Sequence, residues 1–144
     1  DDVLKDAQEK GFAEKDPTAD VDGIDAANKL SILIALLFGK YVAPMDISRC
    51  GIRHITQLDI GEAEMKGEKI KLIAHAVLNP DGTVKCSVKP EGIPNTHPLA
   101  GVSNEFNAVY VVGDMVGETM FYGKGAGALP TGAAIVGDII SLVK

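Results

Sequence analysis

The chain has 144 residues, 46% hydrophobic and 24% charged, with a formal net charge of −6. That length suffices for one domain that buries about two-thirds of the surface its unfolded chain would expose. The acidic balance, with Lys and Arg nowhere clustered, argues against a nucleic-acid partner, because phosphate neutralisation needs a concentrated basic surface.

The chain opens at Asp1, already inside a charged helical pattern (DDVLKDAQEKGF), and so is expected to be a fragment of a longer protein. Val3, Leu4, Ala7 and Phe12 share one face of a short helix, with Gly11 as its stop. Glu14 to Asp20 cannot continue it, because Asp16-Pro17 leaves the α region and the Asp and Thr residues favour turns and caps. Asp22 or Gly23 then caps a helix from about Ile24 to Phe38, stopped by Gly39. After Ser31 there is no polar residue until Lys40, so its second half is expected to be core. The apolar run Ile32–Gly39 is too short to span a bilayer and no signal-peptide pattern heads the chain. No membrane partner is expected, and a cytoplasmic location is.

Beyond Pro44, residues 46–51 read as a turn or short helix, and Asp59 to Lys66 as a second short helix ended by Gly67. Ile70 to Leu78 is rich in β-branched and aliphatic residues, Asn79-Pro-Asp-Gly82 is a turn signal, and Val84 to Lys89 alternates apolar with polar. Together they predict a β-hairpin. Pro90 to Leu99, with three prolines, reads as a loop. Asn107 to Val112 and Glu118 to Tyr122 predict a second strand pair around Gly113–Gly117. Gly123 to Gly127 reads as a flexible turn, and a helix with Pro130 near its first position runs to about Leu142. Strands and helices come in blocks, which indicates an α+β fold with a largely antiparallel sheet covered by helices. Strands such as Val109–Val112 need cover that so small a domain lacks, so a homodimer is expected.

Two groups of residues carry chemistry. Asp25 and Lys29 stand at i, i+4 on one helix face. They are either a surface ion pair, worth a few tenths of a kcal/mol, or a proton-handling pair in an acid-lined pocket, since Glu14, Asp16, Asp20 and Asp22 crowd the same helix start. Such a pocket suits a substrate carrying an ammonium group and a carbonyl. Gly123-Lys-Gly-Ala-Gly127 is either a tight strand-to-helix turn or a place where backbone N–H groups approach a ligand. It matches neither GxxxxGK[ST] nor GxGxxG. Cys50 and Cys86 are expected to be buried free thiols, and His54, His75 and His97 show no metal spacing, so no metal is expected.

The run Glu14-Lys-Asp-Pro-Thr-Ala-Asp20-Val-Asp-Gly-Ile-Asp25-Ala-Ala-Asn-Lys29 resembles the homoserine dehydrogenase signature E-x-D-P-x-x-D-x-x-G-x-D-x-x-x-K. Gly123–Gly127 with Pro130-Thr131 and Asp138 is similar to that family's closing GxGAGxxPT helix. The resemblance covers essentially the whole chain. It implies the fold of the C-terminal catalytic domain of enzymes like glyceraldehyde-3-phosphate dehydrogenase. The implied reaction is NAD(P)-dependent interconversion of L-homoserine and L-aspartate 4-semialdehyde, in threonine, methionine and isoleucine biosynthesis. On this resemblance Lys29 supplies a proton to the developing alkoxide and Asp25 helps hold the substrate hydroxyl or its water. Glu14 binds the substrate ammonium with Asp20 as a secondary contact, and Gly125, Ala126 and Gly127 lie against NAD or NADP. The dinucleotide-binding domain with its glycine fingerprint and second lysine is expected to lie outside residues 1–144, as are the asparagine-glycine-threonine segment, the monovalent-cation loop and any regulatory domain. Residues 1–144 are therefore expected to be a single catalytic and dimerisation domain, inactive alone, whose cofactor would be held mainly elsewhere. Two alternatives stand beside this: a related semialdehyde or hydroxy-acid dehydrogenase, and a non-catalytic dimerisation module whose acids are only helix caps.

Overall fold

The computed structural model describes Gln8 and residues 16–143. Of the expected first helix only Gln8 is among them, and it is helical; Glu14 lies outside those residues. Of these, residues 16–95 form one compact unit and residues 96–143 belong to another.

In the first unit, α1 (Thr18–Val21) and α2 (Ile24–Phe38) precede a 3-10 turn at Pro44–Asp46, a short strand β1 (Ser48–Arg49) and α3 (Gln57–Met65). Strands β2 (Glu68–Leu78) and β3 (Val84–Pro94) complete it. The sheet order is β1-β3-β2, with β2 and β3 antiparallel and β1 parallel to β3. The β2–β3 hairpin closes where predicted. Asn79 N–H donates to the Thr83 carbonyl at 2.8 Å, and Gly82 takes φ +81, which favours glycine. The alternation of β3 also holds. Val84, Cys86 and Val88 join Leu72 and Ala76 on the face that packs against Ala27, Leu30 and Ile34 of α2, with Ile47 alongside. This is the core of the unit.

Four expectations change here. First, β3 does not end at Lys89 but runs through Pro90, Gly92 and Pro94, paired with β2 as far as Glu68↔Pro94. The parallel pairing with β1 stops at Val88, so beyond it β3 is an edge strand. Prolines an even number of residues apart aim their missing donors to the same side, and a free edge tolerates that. Second, the later part of α2 is only one-sided core. Ile34 is buried, whereas Ile32, Leu36 and Leu37 are exposed by 61%, 75% and 52%. A single helix on a single sheet covers one stripe, whatever the composition of its other faces. Third, Cys50 is exposed, while Cys86 is half-buried on the inner face of β3, where burial pushes its thiol up. Cys50 precedes Gly51, the residue packed closely inward, so its side chain turns outward. Fourth, α3 starts at Gln57. Thr56 caps it, its Oγ1 accepting from Asp59 N–H at 3.2 Å while Asp59 Oδ2 accepts from Thr56 N–H at 2.7 Å.

In the second unit a 3-10 turn (Pro98–Gly101) is capped by His97, whose Nδ1 accepts from Leu99 N–H at 3.1 Å. The His97 ring leans on Tyr110, with centroids 4.8 Å apart. Strands β4 (Phe106–Gly113) and β5 (Gly117–Lys124) form the second predicted hairpin, one or two residues longer at each end than expected. Gly123 and Lys124 are thus strand rather than turn. Helix α4 (Ala128–Leu142) begins two residues before Pro130, which occupies the third helical position. Its missing N–H still costs nothing there, because the first turn's donors have no helical acceptor. The fold is α+β with antiparallel hairpins and helices, as the sequence indicated, apart from the short parallel β1.

Candidate active site

The polar start of α2 is shaped by backbone geometry before any long side chain enters. Asp16 Oδ1 accepts from Thr18 N–H at 3.0 Å, and Pro17 C=O accepts from Asp20 and Val21, turning the chain into α1. Hydrogen bonds from Thr18 hold the Asp16 carboxyl below its ordinary range, with the Arg53 charge adding to the effect. Gly23 makes the corner into α2 in the left-handed region, φ +72. It is also buried, and a β-carbon there would stand 3.1 Å from Val88 Cγ1. No side chain caps α2, so the acids around its start exceed what capping uses.

On α2, Ala27, Leu30, Ser31 and Ile34 form the buried stripe. Ser31 Oγ donates to the Val42 carbonyl at 2.6 Å and ties the helix to the segment after it. Asp25 and Lys29 lie off that stripe. Lys29 Nζ is 2.6 Å from Asp25 Oδ2, with the Lys29 side chain 57% and the Asp25 side chain 42% exposed. The structure therefore joins these two residues, with both side chains partly exposed among the described residues. A groove on the outer face of the β2–β3 hairpin, lined by His75, Lys85, Ser87 and Lys89, does not include them. Asp20 sits on α1, exposed, and makes no ion pair among the described residues.

Sequence reasoning missed Arg53. Its Nε donates to Asp22 Oδ1 at 2.5 Å and its Nη2 to Asp22 Oδ2 at 3.3 Å and Thr18 Oγ1 at 3.4 Å. No local spacing could have paired residues so far apart in the chain. Gly51 beside it was missed as well. A β-carbon at Gly51 would stand 2.6 Å from Asp22 Cα and closer still to the Val21 carbonyl oxygen, so only glycine lets residues 50–53 lie against the corner. Ile52 N–H donates to that carbonyl at 2.8 Å.

In the second unit, Gly125, Ala126 and Gly127 form the turn from β5 into α4, with Gly127 at φ +108 and no side chain capping the helix. Gly125 N–H donates to the Glu105 carbonyl at 2.9 Å, and Lys124 Nζ pairs with Glu105 Oε1 at 3.1 Å. Phe106 and Tyr122 stack beside it, centroids 4.9 Å apart. The uncapped start of α4 leaves first-turn N–H groups without a helical acceptor, donors of the kind that the polar part of a nucleotide accepts from, whereas the Gly125 N–H is already committed to Glu105. Among the described residues no group of His, Cys, Asp or Glu could hold a metal ion.

Comparison with known proteins bears on all of this. The family model described as homoserine dehydrogenase matches residues 1–140. The chain is 48% identical over 145 residues to the homoserine dehydrogenase of Bacillus subtilis, covering all of this chain and 33% of that protein. It is 47% identical over 146 residues to that of Synechocystis sp., covering 99% and 34% respectively. Among solved structures, S. aureus homoserine dehydrogenase at pH 6.5 superposes with a TM-score of 0.89 at 47% identity, over 99% of this chain and 36% of that one. A hyperthermophilic archaeal homoserine dehydrogenase in complex with NADPH superposes with a TM-score of 0.73 at 30% identity, over 96% and 38%. The chain thus spans about a third of the length of the curated relatives it matches.

Proposed function

Because the chain belongs to the homoserine dehydrogenase family, a family of oxidoreductases, we propose that it carries the substrate-side catalytic residues for NAD(P)-dependent interconversion of L-homoserine and L-aspartate 4-semialdehyde. The observation that carries the proposal is the Asp25–Lys29 contact at 2.6 Å, presented at the solvent-facing start of a helix whose other side is locked into the core.

The chemistry follows from those groups. A nicotinamide, when bound, exchanges a hydride with the carbon that bears the substrate oxygen. Lys29 donates a proton to that oxygen in the reducing direction and accepts it back in the oxidising one. Negative charge develops there, and a positioned ammonium stabilises it as well as protonating it. Asp25 aims the ammonium and accepts a hydrogen bond from the substrate hydroxyl. Because Leu30 and Ile34 pin the helix, the pair is held in place before substrate arrives. Asp20 and Glu14 are proposed to bind the substrate ammonium, which calls for carboxylates. Gly125, Ala126 and Gly127 are proposed to lie against NAD or NADP.

We also propose that the chain works as a homodimer in the cytoplasm, as a catalytic and dimerisation portion of a homoserine dehydrogenase. Support for self-association comes from α4, which has no buried residue and leaves Ile135, Val136, Ile139 and Ile140 each more than half exposed. Sedimentation at several concentrations checks it. No helix among the described residues is long and apolar enough to cross a membrane.

The catalytic proposal is tested in a chimera in which this chain replaces the matching third of the Bacillus subtilis relative. Lys29→Ala is expected to lower kcat/KM for homoserine by about 10²–10⁴-fold, the range of a lost general acid. Folding should be retained, because an exposed ion pair contributes at most about 1 kcal/mol. Turnover kept within about threefold would leave the chain as a structural module only.

A further inference from the structure

Asp20 is proposed above to meet the substrate ammonium, yet only local backbone hydrogen bonds and no buried side chain anchor the turn that carries it. That helix is a single turn, Thr18–Val21, with no buried residue. What ties it to the rest of the unit is a clasp from 31 residues further along the chain. Arg53 grips both oxygens of Asp22, just past the end of the turn, and reaches Thr18 at its start. Ile52 N–H holds the Val21 carbonyl, and Gly51 provides the space for this contact. The planar guanidinium suits such a grip, since two parallel N–H···O bonds fix orientation as well as distance. The clasp also sorts the charges around α2. Asp22 is taken by Arg53 and Asp25 by Lys29, whereas Asp20 makes no ion pair among the described residues.

We propose that Arg53 is a positioning residue that, through Asp22 and Thr18, holds Asp20 where it recognises the amino group of the substrate. This rests on the functional reading above. Arg53 does not itself touch substrate. Its cationic head is committed to Asp22, which keeps that carboxylate from competing for the substrate ammonium.

The test uses the chimera and steady-state kinetics with each substrate varied in turn. Arg53→Met is expected to raise KM for L-homoserine by about tenfold to a hundredfold, the cost of displacing a positioned group by about an ångström. The KM for NAD(P) and kcat should stay within about threefold. Arg53→Lys keeps the charge but not the fork, so its KM should fall between wild type and Arg53→Met. Asp22→Asn should raise the same KM, and the double variant Asp22→Asn/Arg53→Met should be no worse than Arg53→Met alone, because both remove one clasp. A merely structural role would instead lower kcat and disturb both KM values along with the folded fraction, and that outcome overturns the proposal. An unchanged homoserine KM in both Arg53 variants overturns it too. Lys29→Ala in the same chimera separates the two levels. If it abolishes turnover while the Arg53 variants keep their KM, only the positioning role fails; if it leaves turnover intact, the functional reading fails and this role with it.

Discussion

Gly51→Ala offers a sensitive probe of how the corner before α2 is held. The new methyl group would stand 2.6 Å from Asp22 Cα and closer still to the Val21 carbonyl oxygen, and both are backbone atoms that no rotamer change can move away. Gly51 does not take a positive φ, so the effect is steric and not conformational. Overpacking of this kind costs about 1–3 kcal/mol, and rigid backbone neighbours place it near about 3 kcal/mol. Separating the two segments also lengthens the Ile52 N–H to Val21 C=O bond, worth about 1 kcal/mol. A total of about 3–4 kcal/mol, with a urea slope of about 2 kcal/mol per molar, lowers the unfolding midpoint by about 1.5–2 M. Gly61→Ala is the matched control. Gly61 lies inside α3 with nothing within 4 Å of its would-be β-carbon, so the substitution should stabilise by about 0.5–1 kcal/mol. Circular dichroism in urea on the chimera reads both. If Gly51→Ala unfolds within about 0.3 M of wild type, the close approach of residues 50–53 to the corner is wrong.

Two further predictions concern the scaffold. Ser31→Ala removes the 2.6 Å bond to the Val42 carbonyl at a site 5% exposed and should cost about 1–2 kcal/mol in the same titration; no loss would show that the segment after α2 is held by other contacts. Acid should destabilise the fold through hydrogen-bonded carboxyls. Thr56 holds Asp59, Thr83 holds Asp81 and Thr18 holds Asp16 below the ordinary range, and the Glu105 backbone N–H does the same for its own carboxyl. A carboxyl whose folded value lies below its unfolded one stabilises fully above the unfolded value, about 4, and loses that contribution as pH falls through the folded value. The urea midpoint should therefore be flat near pH 6 and decline below about pH 4, with a shallower decline in Asp59→Asn; a midpoint constant down to pH 3 would contradict it.

What the sequence showed and hid has physical causes. The bounds of α2 were legible because Gly23 and Gly39 both take left-handed conformations at its ends, a need that only the local chain sets. Both hairpins were legible for the same reason. The continuation of β3 through Pro90 and Pro94 was not, because proline breaks a central strand but not an edge, and which strand is an edge depends on where β1 stops. Composition told that Ile32, Leu36 and Leu37 are apolar, but not that the unit supplies only one sheet for one stripe of the helix. At the site, the Asp25–Lys29 contact followed from helical spacing alone. The Arg53–Asp22 clasp depends on tertiary folding and left no trace in any local pattern.

A crystal structure of the chimera with L-homoserine and NAD(P) bound tests the catalytic assignment most directly. The substrate hydroxyl oxygen is expected within about 2.6–3.2 Å of Lys29 Nζ, the distance proton transfer requires, and in hydrogen-bond reach of Asp25. A hydroxyl held by a different proton donor, beyond hydrogen-bond reach of both residues, would contradict it.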